Sequence, residues 1–420
     1  MNLICCRTKL SNVQNQPHPR TSFKNVIAFA AFLFLQTLSV QVGKMTGSNV
    51  YSGVVVTIGI AALFLLVPAG QYFRVCRGSI EITLAFVGLV LVVASAVMSG
   101  EPVAVIKAAL LGALFFVVAS RASSLTSNEL LSAVGTFAAL NTVFLVVTRN
   151  EWNPNALCGH FVFVAICGMT CSALLPPPKA NAVAFCSFSL GSLATLYFHA
   201  RTAFIGLLLS LLTYQLSKRG LLDRGVFLVL MLVASISIPL FATDVSNGLR
   251  DVAENNLNSR NPIAQFLLSD KTRQKVKGDF FDRERLWKYA YEKMLDNPVL
   301  GVGYGEPLSE RGDLRAHNAY LEIGYQCGLP AMLIWSGLYI GVVIQALGWV
   351  QSRPNDPLLF LVLVSFAYLV LAGMMESSGI VSISTPGNWI AVSAVVIFRT
   401  RTAEVHVSTV TEPSYRTLAE

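Results

Sequence analysis

Charge is scarce in this chain. Asp, Glu, Lys and Arg make up 13% of its 420 residues, against about 25% in a soluble globular domain, and so few solvated groups cannot clothe a folded surface in water. Cysteine is present but unorganised. Of eight cysteines, Cys158, Cys167, Cys171, Cys186 and Cys327 fall in or beside apolar runs and Cys5, Cys6 and Cys76 in polar flanks, so neither a disulfide framework nor a CxxC metal pair emerges. His160 stands in an apolar run without a second His, Cys or acid at ligand spacing, which argues against a metal there. Internal repeats are missing too, and with them the sequence sign of inverted-repeat transporters. The net charge of +8 forms no basic patch with interleaved aromatics, so it does not point to nucleic acid.

Hydrocarbon is what the chain has in plenty, with 54% hydrophobic residues. Runs that match the roughly 17–25 residues of a spanning helix read at about 26–43, 50–68, 80–98, 102–119, 130–147, 155–175, 183–198, 202–217, 225–241, 328–350, 357–374 and 380–398. The expected fold is therefore all-α, a polytopic integral membrane protein with about twelve transmembrane helices, the seventh and eighth being short. Basic residues orient it. With the N-terminus inside, Arg74, Arg77, Arg121, Lys179, Lys218, Arg219, Arg224, Arg353, Arg399 and Arg401 join the basic N-terminal stretch on the inner side, whereas the short outer loops hold only Lys44, Arg149 and Arg201. This is the positive-inside asymmetry. No small-x-small cleavage site follows the first run, which reads as an uncleaved anchor. The expected organisation is a cytoplasmic tail at 1–25, spans one to nine over 26–241, a large outer loop at 242–318, spans ten to twelve over 319–400, and a cytoplasmic tail at 401–420.

The outer loop is too rich in Phe, Leu and Trp for a solvated linker and should fold against the membrane. Within it, Asp282 is placed to cap a helix over about 283–296, with Leu286, Ala290 and Met294 on one face and Arg285, Lys288 and Glu292 on a neighbouring one. Asn297-Pro298 ends that helix. Gly301, Gly303 and Gly305 follow, a backbone able to take positive φ and bring N–H groups near a ligand. Because it follows a helix and no buried strand, this run is not a nucleotide fingerprint. Asn318 then caps a helix that reaches the stop signal Gly328-Leu329-Pro330, and the positive end of its dipole favours an anion.

Arg201, Arg285 and His317 are the chemical candidates, each with a plainer alternative. Arg201 in a short outer turn is also what an arginine snorkelling to lipid phosphates looks like; Arg285 would pair equally well with Asp282 or Glu284; His317 would serve as an interfacial histidine. Their shared face is the argument for convergence on one anion, with His317 placed to take or position a hydroxyl proton. Lys107, Glu376 and Asn388 are further polar groups near the outer surface, and Glu81 reads as a carboxylate snorkelling from the inner end of its span.

The Arg-x-Trp at Arg285 and Trp287, the run Asn297-Pro298-Val299-Leu300-Gly301-Val302-Gly303-Tyr304-Gly305, the run His317-Asn318-Ala319-Tyr320-Leu321 and the pair Gly328-Leu329 together resemble the bacterial O-antigen ligase and polysaccharide polymerase superfamily. The resemblance implies a glycosyltransferase of the inner membrane, active on the periplasmic face, that takes a glycan from undecaprenyl diphosphate. A ligase passes it to lipid A-core; a polymerase for O-antigen or exopolysaccharide passes it to another lipid-linked unit. It implies no metal, nucleotide sugar or other cofactor. Arg201 and Arg285 then correspond to arginines that hold the diphosphate and His317 to the catalytic histidine, with Asn318, Gly303, Gly305 and Tyr320 around the substrate. The rival from another class is a lipid-glycan flippase, disfavoured because the polar groups gather on one face instead of at mid-membrane.

Overall fold

The computed structural model describes residues 22–47, 49–70, 72–75, 79–148, 154–197, 201–227, 229–230, 285–308, 315–374 and 386–410. Most of the expected ninth span, the outer loop before 285, and Glu376 lie outside them. Among the described residues there is helix and no strand, as a chain crossing hydrocarbon requires, since an α-helix satisfies its backbone groups within one segment. In chain order the helices are α1 (Phe23–Thr46), α2 (Asn49–Leu66), α3 (Tyr72–Val75), α4 (Ile80–Met98), α5 (Pro102–Ala122), α6 (Ser127–Val147), α7 (Pro154–Cys171), α8 (Pro177–Tyr197) and α9 (Arg201–Lys218). After the gap come α10 (285–296), α11 (Ala319–Ser352), α12 (Pro357–Gly373) and α13 (Pro386–Val410).

Seven helices among the described residues are long and apolar enough to cross a membrane, and Tyr51–Leu66, Ala203–Lys218 and Pro357–Gly373 are apolar but shorter. The protein is a multi-pass membrane protein. α8, expected to be short, has 21 residues, because Lys179 and Asn181 stand inside its first turns and hide them from a hydropathy reading. α13 likewise runs on to Val410, past the expected end at 400.

Short connections make the helices alternate in direction, and polar ties at one end, here the lower end, register them. Glu129 joins the starts of α1 and α6. Its carboxylate accepts from Ser22 N at 2.8 Å and Asn25 Nδ2 at 3.2 Å, and from Thr126 N at 2.8 Å, closing a capping box. Glu81 is not a solitary snorkelling carboxylate, because Gln345 Nε2 donates to it at 3.0 Å and Arg399 pairs with it, tying α4, α11 and α13. The forked guanidinium gives the carboxylate a charge-assisted partner. At the upper end the chain enters the 285–318 segment.

Candidate functional site

α10 forms where the sequence places Leu286, Ala290 and Met294 one turn apart. Ala290 and Met294 are buried with Leu308, Ala316 and Tyr325, and Leu286, Leu321 and Met332 pack around them. The helix thus lies across the first turns of α11, leaving Arg285, Lys288 and Glu292 exposed on its far side. A small core therefore joins the helix that carries Arg285 to the backbone just before His317.

The glycine loop after α10 is locked to a break in α11. Gly328 there has φ 86° and ψ 166°, a conformation essentially confined to glycine, and Pro330 has no N–H to give to Gln326. The carbonyls of Tyr325 and Gln326 are thereby released from the helix ladder. Val302 N takes the first at 2.8 Å and Gly303 N the second at 3.0 Å, while Leu329 N reaches Pro298 O at 2.8 Å. Ser95 Oγ of α4 supplies a second donor to the Gln326 carbonyl at 2.6 Å. Side chains have no room here. A Cβ on Gly301 would lie 2.3 Å from the Gln326 backbone, and one on Gly303 2.4 Å from Ser99 Cβ. The N–H groups of Gly303 and Gly305, expected to face a ligand, are donated instead to the Gln326 carbonyl and, at 3.3 Å, to Gln326 Oε1.

His317 stands immediately before the cap of α11 with φ 49°, and among the described residues it alone takes positive φ without being glycine. Both of its neighbours are pinned. Ala316 N donates to Glu322 Oε2 at 3.1 Å; Asn318 Oδ1 accepts from Tyr320 N and Leu321 N at 3.0 Å each, and its Nδ2 donates to Met374 O at 3.0 Å. The N–H groups of Tyr320 and Leu321, the second and third of α11, are thus spent on the cap. Tyr320, another expected substrate contact, donates its hydroxyl to Val370 O at 2.9 Å. Asn318 and Tyr320 fasten His317 to the end of α12.

Arg201 begins α9. Tyr214 rests edge-on against Phe360, and a Cβ on Gly206 would touch Tyr368 and Ala372, so α9 and α12 run antiparallel in a register that brings Arg201 about level with Gly373. Asn318 is bonded to the carbonyl of the next residue, Met374. The backbone at Arg201, the start of α10 and His317 thus share the upper end of the bundle. Asn388 is buried in α13, and Lys107 lies on α5.

Sequence reading missed Glu322, Gln326 and Arg315. Glu322 is only 6% exposed, and it is satisfied by Tyr325 Oη at 3.1 Å, Gln326 Nε2 at 3.0 Å and Ala316 N, with Arg315 Nη1 at 3.5 Å. Gln326 Nε2 also donates to Glu306 O at 3.0 Å. The legible signal was an acid and an amide four residues apart at the start of an apolar helix, one helical turn that must face something polar. Among the described residues no three His, Cys, Asp or Glu side chains gather as a metal would need.

No curated protein matches the chain. A family match does exist, over residues 186–336, which takes in most of α8, all of α9 and α10, and α11 through its kink. That family is described as O-antigen ligase, and the stretch of this chain that is similar to it carries Arg201, Arg285 and His317.

Proposed function

We propose that this protein is an inner-membrane glycosyltransferase that transfers a glycan from undecaprenyl diphosphate to a sugar hydroxyl of an acceptor on the periplasmic face, as an O-antigen ligase does. The reading rests on His317. A histidine held at positive φ between two pinned neighbours is a strained arrangement that packing alone does not call for, and such strain concentrates at functional sites. In the reaction the acceptor hydroxyl oxygen attacks the anomeric carbon. The bond from that carbon to the diphosphate oxygen breaks, its electron pair leaves with undecaprenyl diphosphate, and the hydroxyl proton passes to an imidazole nitrogen of His317 and then to solvent. Arg285 and Arg201 hold the departing diphosphate. Guanidinium forks suit it because they bind two oxygens at once and their attraction grows as negative charge develops. Asn318 and Tyr320 act as positioning residues for His317, and the glycine loop braces the kink of α11.

The test is wild-type protein in liposomes, supplied with lipid-linked glycan and acceptor and with neither nucleotide nor metal. Covalent product from wild type and none from His317→Ala supports transfer. A wild type that moves the lipid between leaflets but never forms a glycosidic bond makes the protein a flippase.

A further inference from the structure

Glu322, the fourth residue of α11, is a carboxylate withdrawn from water. An acid in the first turn of a helix ordinarily helps it from the surface, where it faces the positive end of the dipole. Burial adds a cost that an apolar side chain of similar volume would avoid. Both oxygens are bonded within the protein. Oε1 accepts from Tyr325 Oη at 3.1 Å and Gln326 Nε2 at 3.0 Å, with Arg315 Nη1 at 3.5 Å, and Oε2 accepts from Ala316 N at 3.1 Å.

The bond to Ala316 is the unusual one. In a capping box the acid of the first turn reaches back to the cap residue itself. Glu322 reaches past the cap, Asn318, and past His317, to the residue before both. Asn318 meanwhile is turned over α11 by its bonds to Tyr320 N and Leu321 N, with an extended backbone at φ −152° and ψ 113°. The chain is thus held on either side of His317 by one helical turn, and the change of direction between the two holds falls on that single residue. Its φ of 49° follows. Backbone in this region is disfavoured for a residue with a side chain and persists only where its surroundings enforce it. The hold at Asn318 is an ordinary helix cap, which by itself asks for no strain in the residue before it. Glu322 supplies the other hold.

We propose that Glu322 is a positioning residue of the transfer reaction: by fixing Ala316, its carboxylate keeps His317 in the left-handed conformation and so aims the imidazole at the acceptor hydroxyl. This rests on the transferase reading. Gln326 Nε2, which donates to Glu322 Oε1, also donates to Glu306 O at 3.0 Å, so the end of the glycine loop and the approach to His317 take their register from the same turn of α11.

Glu322→Gln tests the role with the least change of shape. An amide has one oxygen where the carboxylate has two, so Ala316, Tyr325 and Gln326 can no longer all be met. In liposomes with lipid-linked donor and acceptor, kcat should fall at least about tenfold, since a misplacement of about 1 Å can cost a hundredfold, while KM for both substrates stays as in wild type. Tyr325→Phe takes a donor from Oε1 and leaves the Ala316 bond, so it should lower stability and keep kcat. Glu322→Asp keeps the charge but is a methylene too short for Ala316, and should lose kcat as Glu322→Gln does. A raised KM with kcat kept, an equal loss of kcat in Tyr325→Phe, or wild-type kcat in Glu322→Asp overturns the proposal and leaves the transferase reading standing.

A second measurement needs no glycosidic bond. His317→Gly and His317→Ala are unfolded by heat in detergent, each with Glu322 intact and each combined with Glu322→Gln or Glu322→Asp. With Glu322 intact, glycine should give the higher midpoint because it escapes the strain. In the combined variants that advantage should vanish or reverse, because the strain is gone and glycine only adds freedom to the unfolded chain. A glycine advantage that persists undiminished, or one absent from both backgrounds, shows that Glu322 does not enforce the turn. Midpoints that behave as expected beside a wild type that forms no product make the transferase reading alone fail.

Discussion

At the scale of single residues, His317 carries two separable properties, its imidazole and its backbone. Holding a side chain-bearing residue in the left-handed region costs roughly 1–2 kcal/mol, and glycine escapes that cost. His317→Gly and His317→Ala should therefore both abolish transfer, while thermal unfolding in detergent finds the glycine variant more stable than the alanine variant by about 1 kcal/mol. Equal stability would mean that the strain is not borne at this residue. Arg285 poses a different question, because its exposure on the outer side of α10 is what a surface charge and a substrate contact have in common. Arg285→Lys keeps the charge and loses the fork. Transfer should fall about tenfold, near 1.4 kcal/mol of transition-state stabilisation, with protein level unchanged; full activity would mark Arg285 as a solvated charge.

At the scale of elements, the break in α11 is what binds the loop to the membrane domain. Gly328 could not accept a side chain even if its dihedral angles allowed one, since a Cβ would lie 2.2 Å from the Val299 carbonyl oxygen. Gly328→Ala must push the 298–303 loop off the carbonyls of Tyr325 and Gln326. We expect a loss of at least about 2 kcal/mol, from dihedral strain together with buried acceptors left unpaired, and faster proteolysis within 297–305. Gly305→Ala is the control, because nothing lies within 4 Å of its Cβ position and only its φ of 88° is strained. Should the two variants unfold alike, the packing of the kink against the loop contributes little. α10 repeats the lesson in a simpler way: its apolar stripe was visible as a four-residue period, but the partner that stripe would cover was not.

At the scale of the whole molecule, the chemistry proposed for the upper end requires that end to face the periplasm. Arg219 and Val299 are exposed at opposite ends of the bundle. In a variant freed of native cysteines, Val299→Cys should react with a membrane-impermeant thiol reagent applied from outside and Arg219→Cys should not. Ser217, although next to the same inner loop, is buried and donates to Leu347 O at 3.1 Å, so its silence would say nothing. Labelling of Arg219→Cys alone would invert the protein and remove the site from the periplasm.

Local rules made much of this protein legible from residues alone. Hydrocarbon content demanded helices, the four-residue period drew α10, Asn318 announced its cap, and Gly328 with Pro330 marked a break in α11. Each of these is decided by neighbours within a turn or two along the chain. What Glu129, Glu81 and Glu322 would bond, where the released carbonyls of α11 would be satisfied, and that Gly303 would spend its N–H inside the protein could not be read in the same way. Those groups find partners up to hundreds of residues away, Ser95 for the carbonyl of Gln326 and Arg399 for Glu81. A buried polar group is costly only until some partner arrives. Sequence therefore states the demand, and the packing of α4, α9 and α12 around α11 decides which residue meets it.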